Sequence, residues 1–207
     1  MRKKFVSISS TFLVIISMSS FSLANNENER PIILDHIANN NLKAVKQWHE
    51  KGGDLSSYSG DLPLIYIALI EECRLDMIQY MIDNGVNVDQ PVKGLNETPI
   101  FAASGLKDLS CLKYLIKQGA NINATTSTGR NAYTSALMNK DKDAIRVLYE
   151  NGLSPFIKIV NDFDPIQLAV ILGKAELFED ILKQHYAKGN PPSFALDNLN
   201  QNDNEAR

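Results

Sequence analysis

The chain of 207 residues is 44% hydrophobic and 22% charged, with a formal net charge of -3. That composition excludes collagen-like and low-complexity chains and is that of an ordinary folded domain. Its 21 Lys and Arg against 24 Asp and Glu leave no basic excess to neutralise phosphates, which argues against nucleic acid as a partner.

In chain order the first feature is "MRKKFVSISSTFLVIISMSSFSLANN". Arg2, Lys3 and Lys4 open it, an apolar run centred on "FLVII" follows, and Ser22 and Ala24 supply small residues at its end. This is the pattern of a secretory signal peptide over residues 1–24, cut after Ala24. Serines interrupt the apolar run, which is shorter than the roughly 20 residues of a membrane span, so no stable anchor is expected after cleavage. Cleavage removes three basic residues and leaves 18 against 24 acidic ones, a net charge near -6. The expected location is a periplasm, and such a chain suits a basic partner.

Beyond this leader the chain repeats itself. Glycines followed by a small residue and a polar one stand at Gly52, Gly85, Gly119 and Gly152, at intervals of 33, 34 and 33. Seven positions before each lie Val45, Ile78, Leu112 and Ile145, with Phe178 continuing the series. Four before lie Trp48, Met81, Leu115, Leu148 and Ile181; three before lie His49, Ile82, Ile116, Tyr149 and Leu182. Spacings of three and four put these columns on one face of five helices, predicting a shared buried stripe.

A shorter helix precedes each of these. Thr98 before Pro99 and Asp164 before Pro165 read as an N-cap followed by a proline at the first helical position, where a missing N–H costs nothing; Asn131 is a third cap. Ala68, Ala103, Ala136 and Ala169 keep one side of this helix thin enough for neighbouring units to approach. Cys73 and Cys111 both fall within predicted helices at non-equivalent repeat positions, so two buried free thiols are expected rather than a disulfide, and no metal-ligand spacing accompanies them.

"TPIFAAS…LSCLKYLIKQGANINATTSTGR", with its "GANIN" end and loop glycine Gly129, resembles the ankyrin repeat, and the resemblance covers residues 31 to 186. It implies an all-α fold: an ankyrin-repeat solenoid of about five helix pairs with β-hairpin loops, or fingers, at right angles to the helices. The repeats run at about 31–57, 58–90, 91–124, 125–157 and 158–186, the first and last acting as caps. There are departures. Between Pro63 and Ile78 the second repeat is about two residues longer than consensus, and its loop from Gly52 about two shorter; the family's buried histidine is replaced by Ile65, Phe101, Thr134 and Gln167. The polar segment 187–207, with its Pro pair, is expected to be disordered.

No catalytic constellation, phosphate loop or metal-ligand set is present, so neither an enzyme nor a cofactor is expected. Binding is the remaining class. Mapping the family's variable finger positions gives Ser57, Tyr58 and Asp61 in the first finger, Val92, Lys93 and Leu95 in the second, Ser127, Thr128 and Arg130 in the third, and Val160, Asn161 and Phe163 in the fourth. Of these, Tyr58, Asp61, Lys93, Leu95, Ser127, Arg130, Val160, Asn161 and Phe163 are the candidate partner-binding residues; Tyr58, Arg130 and Phe163 are of the types enriched at hot spots. Phe156 and Phe163 have the alternative of folding back onto the fourth finger. The functional expectation is a protein-binding module, monomeric alone, most concretely an immunity or inhibitor protein against a secreted antibacterial effector. An accessory to a periplasmic enzyme, such as a peroxide-detoxifying one, and a host-directed effector are the alternatives.

Overall fold

A computed structural model describes residues 32–187. The expected signal peptide and the segment from 188 onward lie outside the described residues. Among the described residues, ten α-helices of five to nine residues form five pairs. They are α1 (Ile32–Ala38) with α2 (Leu42–Glu50), α3 (Leu64–Ile70) with α4 (Leu75–Asp83), α5 (Pro99–Ala103) with α6 (Ser110–Lys117), α7 (Ala132–Met138) with α8 (Lys142–Glu150), and α9 (Pro165–Ile171) with α10 (Glu179–Ala187). A 3₁₀ turn over Ala175–Phe178 leads into α10. Helices this short are marginal alone, so each stands on its packing.

That packing follows the periodic columns. Val45, Ile78, Leu112, Ile145 and Phe178 are wholly buried, as are Met81, Leu115 and Leu148; Ile181 is nearly so and Trp48 half-buried. The third column is a rim in the first four repeats, where His49, Ile82, Ile116 and Tyr149 are only half-buried, whereas Leu182 in the last is buried. Ala68, Ala103, Ala136 and Ala169 are fully buried where successive inner helices meet.

The repeated glycines end the outer helices identically. Gly52, Gly85, Gly119 and Gly152 have φ of 94°, 89°, 83° and 95°, which is open to glycine without a Cβ penalty. Each donates its N–H three residues back, to His49, Ile82, Ile116 and Tyr149, and the following residue donates five back, to Trp48, Met81, Leu115 and Leu148. This Schellman pair satisfies the last carbonyls and turns the chain into the next loop. At Gly53 an added Cβ would clash with the indole of Trp48, the only tryptophan, at 2.3–2.5 Å from three of its carbons. Gly53→Ala is therefore expected to displace the indole at a cost of about 1–3 kcal/mol, read as a shifted tryptophan emission and a lower denaturation midpoint.

Three local expectations are corrected. Thr98 is the N-cap of α5, but its hydroxyl makes no cap hydrogen bond and is buried without a partner; Asn131 and Asp164 do cap, each in a reciprocal box with Thr134 and Gln167. Pro63 stands at the N-cap of α3 rather than inside it. Counted from Leu64, the step to Ile78 is 14, against 13 from Pro99 to Leu112, Ala132 to Ile145 and Pro165 to Phe178, so the surplus is one residue. In this register Tyr66, not Ile65, aligns with Phe101, Thr134 and Gln167.

The third correction concerns the cysteines: Cys73 and Cys111 form a disulfide, with Cα atoms 5.9 Å apart. Cys73 is not helical. It lies in the turn from α3 to α4, where the surplus residue sits. In other pairs that turn closes across five residues, as with Asn41 to His36, Asp141 to Ala136 and Lys174 to Ala169; here Arg74 N–H reaches back six, to Ala68. Glu72 and Cys73 both adopt left-handed φ, 68° and 50°. The added turn places Cys73 beside Cys111 near the start of α6.

Candidate functional site

The loops after each outer helix project as four fingers. The first is a two-stranded hairpin, β1 (Tyr58–Ser59) with β2 (Leu62–Pro63), paired Tyr58 to Pro63 and Ser59 to Leu62. Each of the others is closed at its base by a 2.8 Å backbone bond, from Val92 N–H to Glu97, Thr126 N–H to Arg130, and Ile159 N–H to Phe163. Adjacent fingers are laced sideways. Lys93 N–H donates to Asp61 carbonyl at 3.0 Å and Ser127 N–H to Leu95 carbonyl at 2.8 Å. Asp89 carboxylate accepts from Asn121 N–H, and Asn96 amide donates to Thr125 carbonyl. The first three fingers thus form one preorganised ledge.

Beneath the ledge lies a charged core. Glu97, only 5% exposed, accepts from Tyr66 Oη at 2.9 Å and from Arg130 Nη2 at 3.0 Å. Arg130, 23% exposed, also lies 5.5 Å over the Phe101 ring. Burial pushes the Glu97 carboxyl above the ordinary range, opposed by Tyr66 and Arg130. Burial, then the Glu97 charge, raises the Tyr66 phenol further, so it stays a donor. This cluster joins repeats two, three and four.

The candidate residues divide accordingly. Arg130 holds Glu97, a structural role that finger mapping did not assign. Tyr58 is half-buried, donates to Pro91 carbonyl at 3.1 Å and carries Lys93 Nζ 4.2 Å over its ring. Val92, mapped to the surface, is buried, because it faces the core at the finger's base. Asp61, Ser127 and Asn161 are exposed, and Val160 is half-buried. Asn161 and Asp162, with φ of 53° and 61°, make the left-handed tip of the fourth finger. Leu95 and Phe163 present large apolar surface at 37% and 39% exposure. Phe156 packs against α10, its ring 4.8 Å from that of His185, whereas Phe163 stays exposed.

Finger mapping also missed exposed apolar side chains at the ends of α7 and α9: Met138, Val170, Ile171 and Leu172. The run "AVIL" carried that signal, since at least one of its residues must lie off the buried face of a helix. Among the described residues, no group of three acidic, His or Cys side chains could hold a metal ion, and no helix is long and apolar enough to cross a membrane. His49 Nδ1 is engaged with Tyr80 Oη at 2.9 Å.

A family model described as ankyrin repeats, three copies, matches residues 33–126, 73–159 and 100–193. Among curated proteins, a probable palmitoyltransferase of Saccharomyces uvarum is 29% identical over 131 residues, 63% of this chain. The match takes in 17% of that protein's length.

Proposed function

The chain belongs to the ankyrin-repeat family, a protein-interaction architecture, and from that premise we propose that it is a non-enzymatic immunity protein of a bacterial periplasm, occluding a secreted antibacterial effector. The observation that carries the binding reading is the laced ledge, which holds Leu95 out toward solvent while Phe163 projects from the finger beyond it. Large apolar side chains on a preorganised surface have no packing reason to be there, and little entropy is lost when a partner covers them. Two further features support the compartment. The leader has the make-up of an export signal, and the Cys73–Cys111 disulfide is a bond that persists in oxidising surroundings. The acidic balance of 24 to 21, or 24 to 18 after cleavage, suits steering toward a basic effector.

A deletion strain tests the specific role. Under this reading it is poisoned by contact with sibling cells that carry the effector, and a plasmid copy of the full chain restores growth. Unchanged growth beside siblings, with new sensitivity to peroxide, would replace immunity by an accessory role to a detoxifying enzyme.

A further inference from the structure

The turn between α3 and α4 is fastened on both sides. Forward, Cys73 is bonded to Cys111, the second residue of α6, and the Ser110 hydroxyl donates to Cys73 Sγ at 3.2 Å. Backward, Arg74 Nη2 donates at 3.3 Å to the carbonyl of Ala38, the last residue of α1, where a cation also suits the helix dipole. Two consecutive residues of repeat two thus tie repeat three to repeat one. Arg74 is the N-cap of α4, and its guanidinium cannot accept a hydrogen bond, whereas Asn41 and Asp141 at the same place in α2 and α8 accept the N–H of Ala44 and Ala144. Its Nε is buried without a partner. The backbone beside it is strained. In the first, fourth and fifth pairs a single residue of the turn is left-handed, Asn40, Lys140 or Gly173, but here Glu72 and Cys73 both are. Repeat one is the first among the described residues, and α1 packs on α2 and α3 with no further repeat beyond it there.

We propose that the Cys73–Cys111 bridge is a redox-controlled clamp on repeat one: intact, it keeps Arg74 on the Ala38 carbonyl, and its reduction by a dithiol donor releases the end of α1. Cys73 is the sulfur a donor reaches, since it is 8% exposed and Cys111 0%. The donor thiolate attacks Cys73 Sγ and forms a mixed disulfide. The Cys73–Cys111 bond breaks, and its electron pair leaves on the Cys111 sulfur, where the first turn of α6 favours a thiolate until it takes a proton. The donor's second thiolate then attacks its own sulfur in the mixed disulfide and displaces Cys73 as a thiolate, which Ser110 solvates and which is protonated in turn. Two electrons pass to the bridge, and the donor ends as a disulfide. Freed, Cys73 leaves the left-handed region that its β-carbon disfavours. That movement draws the adjacent Arg74 off Ala38, and the end of α1 opens.

Amide exchange on the full chain, oxidised or held in dithiothreitol, tests this. In dithiothreitol the amides of Asn39, Asn41 and Val45, bonded to the carbonyls of Asp35, His36 and Asn41, are expected to exchange about tenfold faster, while Leu172 and Lys174 of the last repeat keep their rates. Arg74→Ala should show the faster exchange at those three amides while still oxidised, and no further acceleration on reduction, because both changes act through one contact. Cys73→Ser/Cys111→Ser should be fast at the same amides with or without dithiothreitol. Unchanged rates in repeat one of the reduced wild type would overturn the proposal. So would equal acceleration at Leu172 and Lys174, which would make the bridge a general brace, or a response to dithiothreitol in repeat one that survives in Arg74→Ala.

Discussion

Replacing both cysteines, Cys73→Ala with Cys111→Ala, is expected to lower the free energy of unfolding by about 4 kcal/mol. The bridge closes a loop of 38 residues, and in the chain-entropy account a cross-link of that span removes about this much freedom from the unfolded chain. The native state gives a second reason. Glu72 and Cys73 both sit in left-handed backbone, which β-carbons disfavour, and the bridge holds their turn against α6. Because repeats touch only their neighbours, the loss is centred on repeats two and three and broadens the transition. Guanidinium denaturation of the oxidised wild type, the reduced wild type and the double variant measures it. The reduced protein and the variant should unfold together, well before the oxidised protein. Coincident curves for all three would mean the bridge contributes nothing.

Arg130→Ala is expected to cost about 3 kcal/mol, although Arg130 occupies a finger position expected to bind a partner. Removing it leaves the Glu97 carboxylate buried with Tyr66 as its remaining side-chain hydrogen-bond partner, and an uncompensated buried charge costs more than the pair itself contributes. The pH dependence separates this from lost packing on Phe101. Burial raises the folded-state Glu97 pKa above the unfolded value near 4.5, while Arg130 lowers it. A raised carboxyl pKa favours the folded state in acid, and that contribution is lost as pH rises through the folded value. Without Arg130 the folded value rises further. The gap between wild type and Arg130→Ala should therefore be smallest below pH 4.5 and widen above it. A gap that stays constant with pH would assign the effect to packing. Glu97→Ala in the Arg130→Ala background should cost less than Glu97→Ala alone.

What the sequence made legible was whatever depended on spacing alone. The glycine period and the Val45, Ile78, Leu112, Ile145 column predict the outer helices, and their Schellman turns follow from a residue type that tolerates positive φ. The N-caps at Asn131 and Asp164 were readable from residue type and position, whereas their reciprocal partners Thr134 and Gln167 emerge from the structure. The disulfide was not, because it turns on one added residue that takes Cys73 out of its helix and redirects its Cβ. The Glu97–Arg130 pair was hidden by a separation of 33 residues, yet both stand two positions before an inner helix, in adjacent repeats. Opposite charges at one repeat position were a signal that surface mapping passed over. Val92 and Leu95 lie in the same finger, and only its three-dimensional fold decides that one points in and the other out.

The account stands on the finger face as the binding surface. Capture of a protein partner by the full chain, compared among Leu95→Glu, Phe163→Glu and Lys117→Glu, tests it most directly. The first two change exposed finger side chains, and the third lies on the outer helix α6. The account predicts a stoichiometric protein partner that is lost with Leu95→Glu and Phe163→Glu and kept with Lys117→Glu. A partner kept by both finger variants and lost with Lys117→Glu would contradict it, as would the absence of any stoichiometric partner.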